Sequence, residues 1–449
     1  METAKQPLAM LEVIVDRSRL RPIPVAAPQG HHESESGLWS IARTLLLALL
    51  MAAPLLFGAV QPWAWGGLAI GVTCVLLLWG AGCVRTRSVT FLWSPLYLPL
   101  IGLIGLAAVQ LRSGLSVDRL ATREAEIKLV TYAILFFVVQ QLYEAASAAA
   151  WQISAATVAV YVFLMALFAI VQFFVSPGLL YGVFQPPSIG VFGPYVNHGN
   201  YAGLMEMLIP VAMTLAISLR WSHPAKPFLL FVVFMALVSV FLSGSRAGLI
   251  SVAIEFGIVG LVLMTTGSDQ KHLLVIGMLA AALAFGFFYW LDPGDVWERW
   301  GEVASKPELA FGSRDAMAVD SWRMSRDHLA HGVGLGAFET AYTPYQTVVT
   351  ELAIDYAHND YVQFMAEAGI WAWILAPVSI GLFLVLSFRH LSLRLGGSSG
   401  WLEFGAAVGV CGLLVHSVSE FNLHIPANAA WFTVLGAWAT LPATRLRHE

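Results

Sequence analysis

"YAHNDYVQFMAEAGIWAWILAPVSIGLFLVLSF", Tyr356 to Phe388, sets His358, Asn359 and Asp360 at the head of a long apolar run that still carries Glu367. A hydrocarbon core is crossed by about 20 apolar residues in helical form, and this run exceeds that. In water the opening would be an ordinary helix cap. In a membrane it places ionisable groups at, and inside, a boundary where they are expensive and usually have partners.

Composition decides between the two settings. The chain of 449 residues is 58% hydrophobic and 12% charged, against about 25% charged in soluble domains. Apolar stretches of membrane-crossing length recur at approximately 39–60, 63–83, 91–111, 127–146, 151–176, 198–219, 226–242, 246–266, 272–291, 360–387, 401–420 and 425–442. The expected fold is therefore all-α, a polytopic membrane protein of about 12 spans. A formal net charge of -4 offers no basic surface for nucleic acid. Cys74, Cys83 and Cys411 all sit within apolar runs and show neither metal nor disulfide spacing. No internal repeat of the kind found in many transporters is visible.

Short-loop Lys and Arg orient the chain. With the N-terminus inside, Arg85, Arg87, Arg220, Lys226, Lys271, Arg389, Arg394, Arg445 and Arg447 fall on the cytosolic side. One expected outer loop, "QLRSGLSVDRLATREAEIK" (Gln110–Lys128), runs against the rule with its four basic residues. The organisation expected is a cytosolic tail over 1–38, spans over 39–291, a large outer loop over 292–359, spans over 360–442 and a cytosolic tail over 443–449. Within the loop, short helices are expected around 294–304 and 314–329.

On this topology the unusual polar clusters gather on the outer side. "VFGPYVNHGNYAGL" brings Asn197, His198 and Asn200 to the start of a span, more polar groups than an N-cap requires. "FLSGSRAGLI" sets Ser245 and Arg246 at a helix N-terminus. A cation opposes the dipole there unless an anion joins it. In the outer loop Arg314 opens a helix with Trp322 about two turns on, followed by "GVGLG", whose glycines suit a close turn rather than a nucleotide. Asp360 and Gln363 have capping-box spacing, which leaves His358 unexplained. Finally "HSVSEFNLHIPANAA" brackets a turn with His416, Glu420, Asn422, His424 and Asn428. No histidine pair has metal-helix spacing, and no G-x-S-x-G elbow is present.

In this order and spacing, "FGPYVNHGNYAG", "SGSRAG", the Arg314–Trp322 segment with "GVGLGAF", and "AHNDYVQFMAEAGI" resemble the O-antigen ligase and polymerase family of bacterial membrane glycosyltransferases. The resemblance covers about 185 to 370, with the "HSVSEFNLHIPANA" turn in support. It implies a GT-C-like enzyme of the inner membrane with its active site on the periplasmic face. The donor would be a glycan on undecaprenyl pyrophosphate and the acceptor a hydroxyl of lipid A-core, with no metal and no cofactor. By position His358, Arg246 and Arg314 match the family's activity-linked histidine and arginine pair. Asn197, His198, Asn200, Ser245, Asn359, Tyr361, Glu367 and His424 are the expected substrate-binding residues. His331 departs from the pattern, since relatives commonly carry Pro before the "GVG" turn. Two other readings stay open: a polymerase joining lipid-linked repeat units, and a polysaccharide transporter.

The residue types suit that chemistry. Pyrophosphate is already a good leaving group, so the tasks are to hold the diphosphate, neutralise its growing charge and deprotonate an acceptor hydroxyl. Arginine forks serve the first two, and a neutral histidine the third.

Overall fold

The computed structural model describes residues 37–89, 91–144, 146–186, 190–266, 312–347, 354–389, 391, 395 and 398–442. Fourteen α-helices are used below: α1 Gly37–Leu55, α2 Pro62–Thr86, α3 Tyr97–Arg112, α4 Arg119–Glu144, α5 Ala148–Val175, α6 His198–Ser218, α7 Lys226–Ser243, α8 Arg246–Thr265, α9 Gly312–Asp327, α10 Phe338–Tyr342, α11 Asp360–Ala368, α12 Ala372–Phe388, α13 Ser398–His416 and α14 Pro426–Ala439. The fold is all-α. Among the described residues nine helices are long and apolar enough to cross a membrane, with α11 and α12 together forming one of them. Helix α3 is apolar but shorter. The expected span at 272–291 and the expected short helix at 294–304 lie outside the described residues.

The outward faces are apolar: Ile70, Leu77, Ile153 and Leu261 are all exposed. That is the arrangement for lipid, and the chain is a multi-pass membrane protein. Helix α6 is the hub, with 89% of its apolar window buried against 28% for α2. It packs against α5, α7, α8, α13 and α14. Small residues allow the closest of these approaches. On α13, a Cβ at Gly405 would stand 2.1 Å from Thr214 Oγ1, and one at Gly409 would stand 2.2 Å from the Met207 carbonyl oxygen. These glycines recur at four-residue spacing, so they line one face of α13 along α6.

Two local expectations shift. Much of the basic loop 110–128 is helix, because Asp118 accepts from the Leu120 and Ala121 amides and starts α4 at Arg119. And Asn359, not Asp360, caps α11, accepting from the Tyr361 and Val362 amides. The Asp360 carboxylate is engaged elsewhere, with His424 at 2.7 Å and the Leu423 amide at 3.2 Å. Gln363 instead reaches back to the Ala357 amide.

The "GVGLG" stretch makes the close turn its glycines suggest. Gly332, Gly334 and Gly336 all have positive φ, and a Cβ at Gly332 would sit 2.1 Å from the Glu367 carbonyl oxygen. One buried side chain that sequence reading passes over, Gln110 on α3, braces this turn. It donates to the His331 and Glu367 carbonyls and accepts from the Leu335 amide.

Candidate active site

The starts of α6, α9 and α11 meet the 417–424 turn at one end of the bundle, and the start of α8 lies beside that of α6. Their approach is again made by missing side chains. A Cβ at Gly199 would touch the Glu420 carboxylate at 2.8 Å, and one at Gly203 would touch Asn422 at 2.4 Å. One at Gly248 would lie 2.7 Å from Ala202 Cβ, which sets the first turn of α8 beside that of α6. The α11 amide of Asp360 donates to the Ser417 and Glu420 carbonyls, tying the His358 segment to the same turn.

Glu420 is the centre. Its Oε1 accepts from Arg314 Nη2 at 2.8 Å, while Arg314 Nη1 donates to the Ser419 carbonyl at 3.4 Å. Its Oε2 is shared by His358 Nδ1 and Asn197 Nδ2, both at 3.3 Å. Three side chains far apart in the chain thus converge on one buried carboxylate. Burial alone would push the Glu420 carboxyl up. The hydrogen bond from His358 and the charge of Arg314, with that of His416 adding to them, outweigh it and hold the group far below the ordinary carboxylate range. Glu420 is therefore an anion at any working pH.

This fixes what His358 can do. With Nδ1–H donated to the carboxylate, Nε2 carries the lone pair, the tautomer a general base needs. The ring is braced edge-on against Phe421, with centroids 4.9 Å apart, and Phe421 stacks on Tyr356. His358 adopts φ 50°, an uncommon backbone for a residue with a Cβ. Such strain persists only where surrounding contacts hold it. Its side chain is 27% exposed and that of Arg314 39%, against 3% for Glu420. The carboxylate lies beneath while base and cation face outward.

The other expected residues divide. Asn197 both caps α6, through the Gly199 amide, and reaches Glu420. Ser245 caps α8 by accepting from the Gly248 amide, and half-buried Arg246 follows as its first residue. His198 opens α6 beside them. Asn200 is buried, and its carbonyl accepts from Asn428, which also bonds Asn422 and Tyr195. Tyr361 donates to the Leu414 carbonyl and ties α11 to α13. Glu367 lies under the glycine turn, accepting from the Gly336 amide and from Gln363. His424 pairs with Asp360. Burial would lower its pKa, but the bond and charge of Asp360, with the charge of Glu367, raise it above the ordinary imidazole value. Trp322 packs on Trp373 rather than into the cluster.

Glu420 is the residue of the cluster that sequence reading underrates. It stands among the polar residues of a turn, and nothing local marks it as the one that gathers the rest. Among the described residues no group of three or more His, Cys, Asp or Glu side chains is placed to hold a metal ion.

Residues 230–377 match the family model described as O-antigen ligase. That stretch runs from α7 into α12 and contains Arg246, Arg314 and His358. No curated protein matches the chain. The chain is thus a multi-pass membrane protein whose residues 230–377 are similar to the O-antigen ligase family.

Proposed function

We propose that the chain is a metal-independent glycosyltransferase of the bacterial inner membrane. It would move a glycan from undecaprenyl pyrophosphate onto a hydroxyl of lipid A-core, at the periplasmic face and with both termini cytosolic. The observation that carries this reading is the convergence of His358, Arg314 and Asn197 on Glu420 at a single end of the bundle.

In this reading His358 Nε2 takes the proton of the acceptor hydroxyl as its oxygen forms a bond to the anomeric carbon. The bond from that carbon to the pyrophosphate oxygen breaks, and its electron pair leaves with the diphosphate. Arg314 has more N–H groups than its two contacts to the turn use, so its exposed edge can grip a phosphate oxygen. Arg246 stands where the α8 dipole and amides add to its own charge. Asn197, His198, Asn200, Ser245, Asn359, Tyr361 and His424 would shape the pocket around donor and acceptor, while Glu367, expected from sequence among them, fastens the glycine turn.

A polymerase would use the same donor machinery with a second lipid-linked unit as acceptor. The purified protein in lipid nanodiscs, given undecaprenyl-pyrophosphate-linked glycan and either lipid A-core or more donor, separates the two. Glycan on lipid A-core is the expected product. A ladder confined to lipid-linked chains would favour the polymerase, and no transfer to either acceptor would overturn the proposal.

A further inference from the structure

Inside the bundle, beyond the Glu420 cluster, three ionisable side chains lie that the transfer chemistry leaves unused. Glu206 on α6 and His416 on α13 are fully buried and joined through imidazole Nδ1 at 2.9 Å. Glu255 on α8 is fully buried as well, and neither of its carboxylate oxygens has a hydrogen-bond partner. Its carboxylate fits against α13 only because residue 412 is glycine, where a Cβ would stand 1.8 Å from Oε1. Gly412 is one turn from His416, whose Nε2 is also buried without a hydrogen-bond partner. Ser251, one turn before Glu255 on α8, has its Oγ in the same condition. Several buried polar atoms left open in one place need an explanation.

Charge supplies it. Two ionised carboxylates beside a neutral imidazole would put two negative charges inside the bundle, an arrangement that membrane interiors disfavour strongly. The cluster is neutral when two protons are spread over its three groups. One of them makes His416 an imidazolium, with Nδ1–H on the Glu206 carboxylate and Nε2–H turned to the gap. The other is held by Glu255, the carboxyl left open. A water between them would satisfy both, since buried waters occupy such polar gaps.

We propose that Glu206, His416 and Glu255 form a buried proton-exchange site, two protons over three groups, water-bridged between His416 Nε2 and Glu255. The site is coupled by charge to Glu420. The ionisable groups facing it are Cys411 on α13, and Glu420 and Asp360 at the turn. Glu403 lies further along α13. Among the helices packed on α6, α5 brings Tyr161, and α7 brings Lys226 at its far end. Loss of a proton from the cluster adds negative charge behind Glu420, so its occupancy sets the field at the base.

Infrared difference spectroscopy on the full chain in nanodiscs, in water and deuterium oxide, tests this without any transfer assay. It therefore stands or falls apart from the proposed function. The wild type should show a protonated-carboxyl stretch that shifts on deuteration. Glu255→Gln should lose that component, because Glu206 and His416 then balance as an ion pair. His416→Asn should instead strengthen it, since both carboxyls must then hold protons. The gain in H416N is diagnostic by itself if E255Q does not fold. Glu420→Gln should move the pH at which the band titrates. A band unchanged in E255Q, a weaker one in H416N, or one abolished in the wild type by sodium chloride but not choline chloride would overturn the site. An unmoved titration in E420Q would overturn its coupling.

Discussion

Two carboxylates are buried near the same end of the bundle and are satisfied in opposite ways. Glu367 is held by the Gly336 amide and by Gln363 one turn away on its own helix. Glu420 is held by an arginine, a histidine and an asparagine from three distant segments. The partners of Glu367 are positioned by backbone and cannot leave without unfolding the glycine turn. Two of the partners of Glu420 are side chains open to the surroundings, free to turn toward an arriving phosphate or hydroxyl. Equal burial therefore gives one carboxylate that fastens the fold and another that, in the proposed reaction, arranges the base and the cation.

The largest test of that contrast falls on the base. Glutamine at 358 can hydrogen-bond but takes up no proton at neutral pH. H358Q should bind donor normally and transfer roughly 10²–10⁴-fold more slowly, the usual scale for a general acid or base. Near-normal turnover in single-turnover assays with saturating donor would remove His358 from the chemistry. Next, Glu420→Gln keeps the shape and loses the anion. Transfer should drop at least about 10–100-fold, the scale for carboxylates that orient metal-bound histidines, with donor binding weakened as Arg314 loses its anchor. Arg314→Lys should fall in the same range, because lysine keeps the charge without the fork. If E420Q transfers at the wild-type rate, the convergence on Glu420 is packing and nothing more.

Glu367→Gln should do the reverse, costing stability rather than turnover. An amide oxygen cannot serve both donors as two carboxylate oxygens do. One buried donor is left open, at about 1–3 kcal/mol. The melting midpoint should drop while transfer per folded molecule stays near wild type. Loss of transfer at an unchanged midpoint would instead mean that Glu367 touches substrate, as its place in the sequence first suggests.

The same contrast explains what the sequence makes legible. Spans are readable because hydrophobic length is a local property, and Lys226–Ser243 or Arg246–Thr265 fall within a residue or so of their expected limits. His358 and Asn197 stand out as polar groups beyond what capping needs at helix starts, while Arg314 is marked only by the resemblance to a family. Glu420 does not stand out, since its meaning lies in partners 62, 106 and 223 residues away. Gln110 is less visible still, a lone amide in an apolar helix whose partners are 221 to 257 residues off. The cap of α11 is misread by one residue because Asp360 prefers a long-range partner, His424, to its own helix.

That His424–Asp360 pair gives the smallest and most selective test. The folded pKa of His424 is raised above its ordinary 6.5, against the burial that alone would lower it. A raised histidine contributes stability that is fully present below the unfolded pKa and is lost as pH rises through the folded one. The melting midpoint should therefore carry a component that declines from mildly acidic toward alkaline pH, worth about 1 kcal/mol or less for one partly exposed pair. Glu420 acts in the opposite sense. Its pKa is depressed, so its contribution is present above the ordinary carboxylate value and disappears only as pH falls far below it. Between about pH 5 and 9 Glu420 is flat and His424 slopes, as the spacing of ordinary carboxylate and imidazole values allows. Subtracting the His424→Gln midpoints from wild type across that range should leave a difference that shrinks as pH rises. A difference that grows with pH would mean that His424 is held neutral against Asp360, and that the 417–424 turn is fastened without this ion pair.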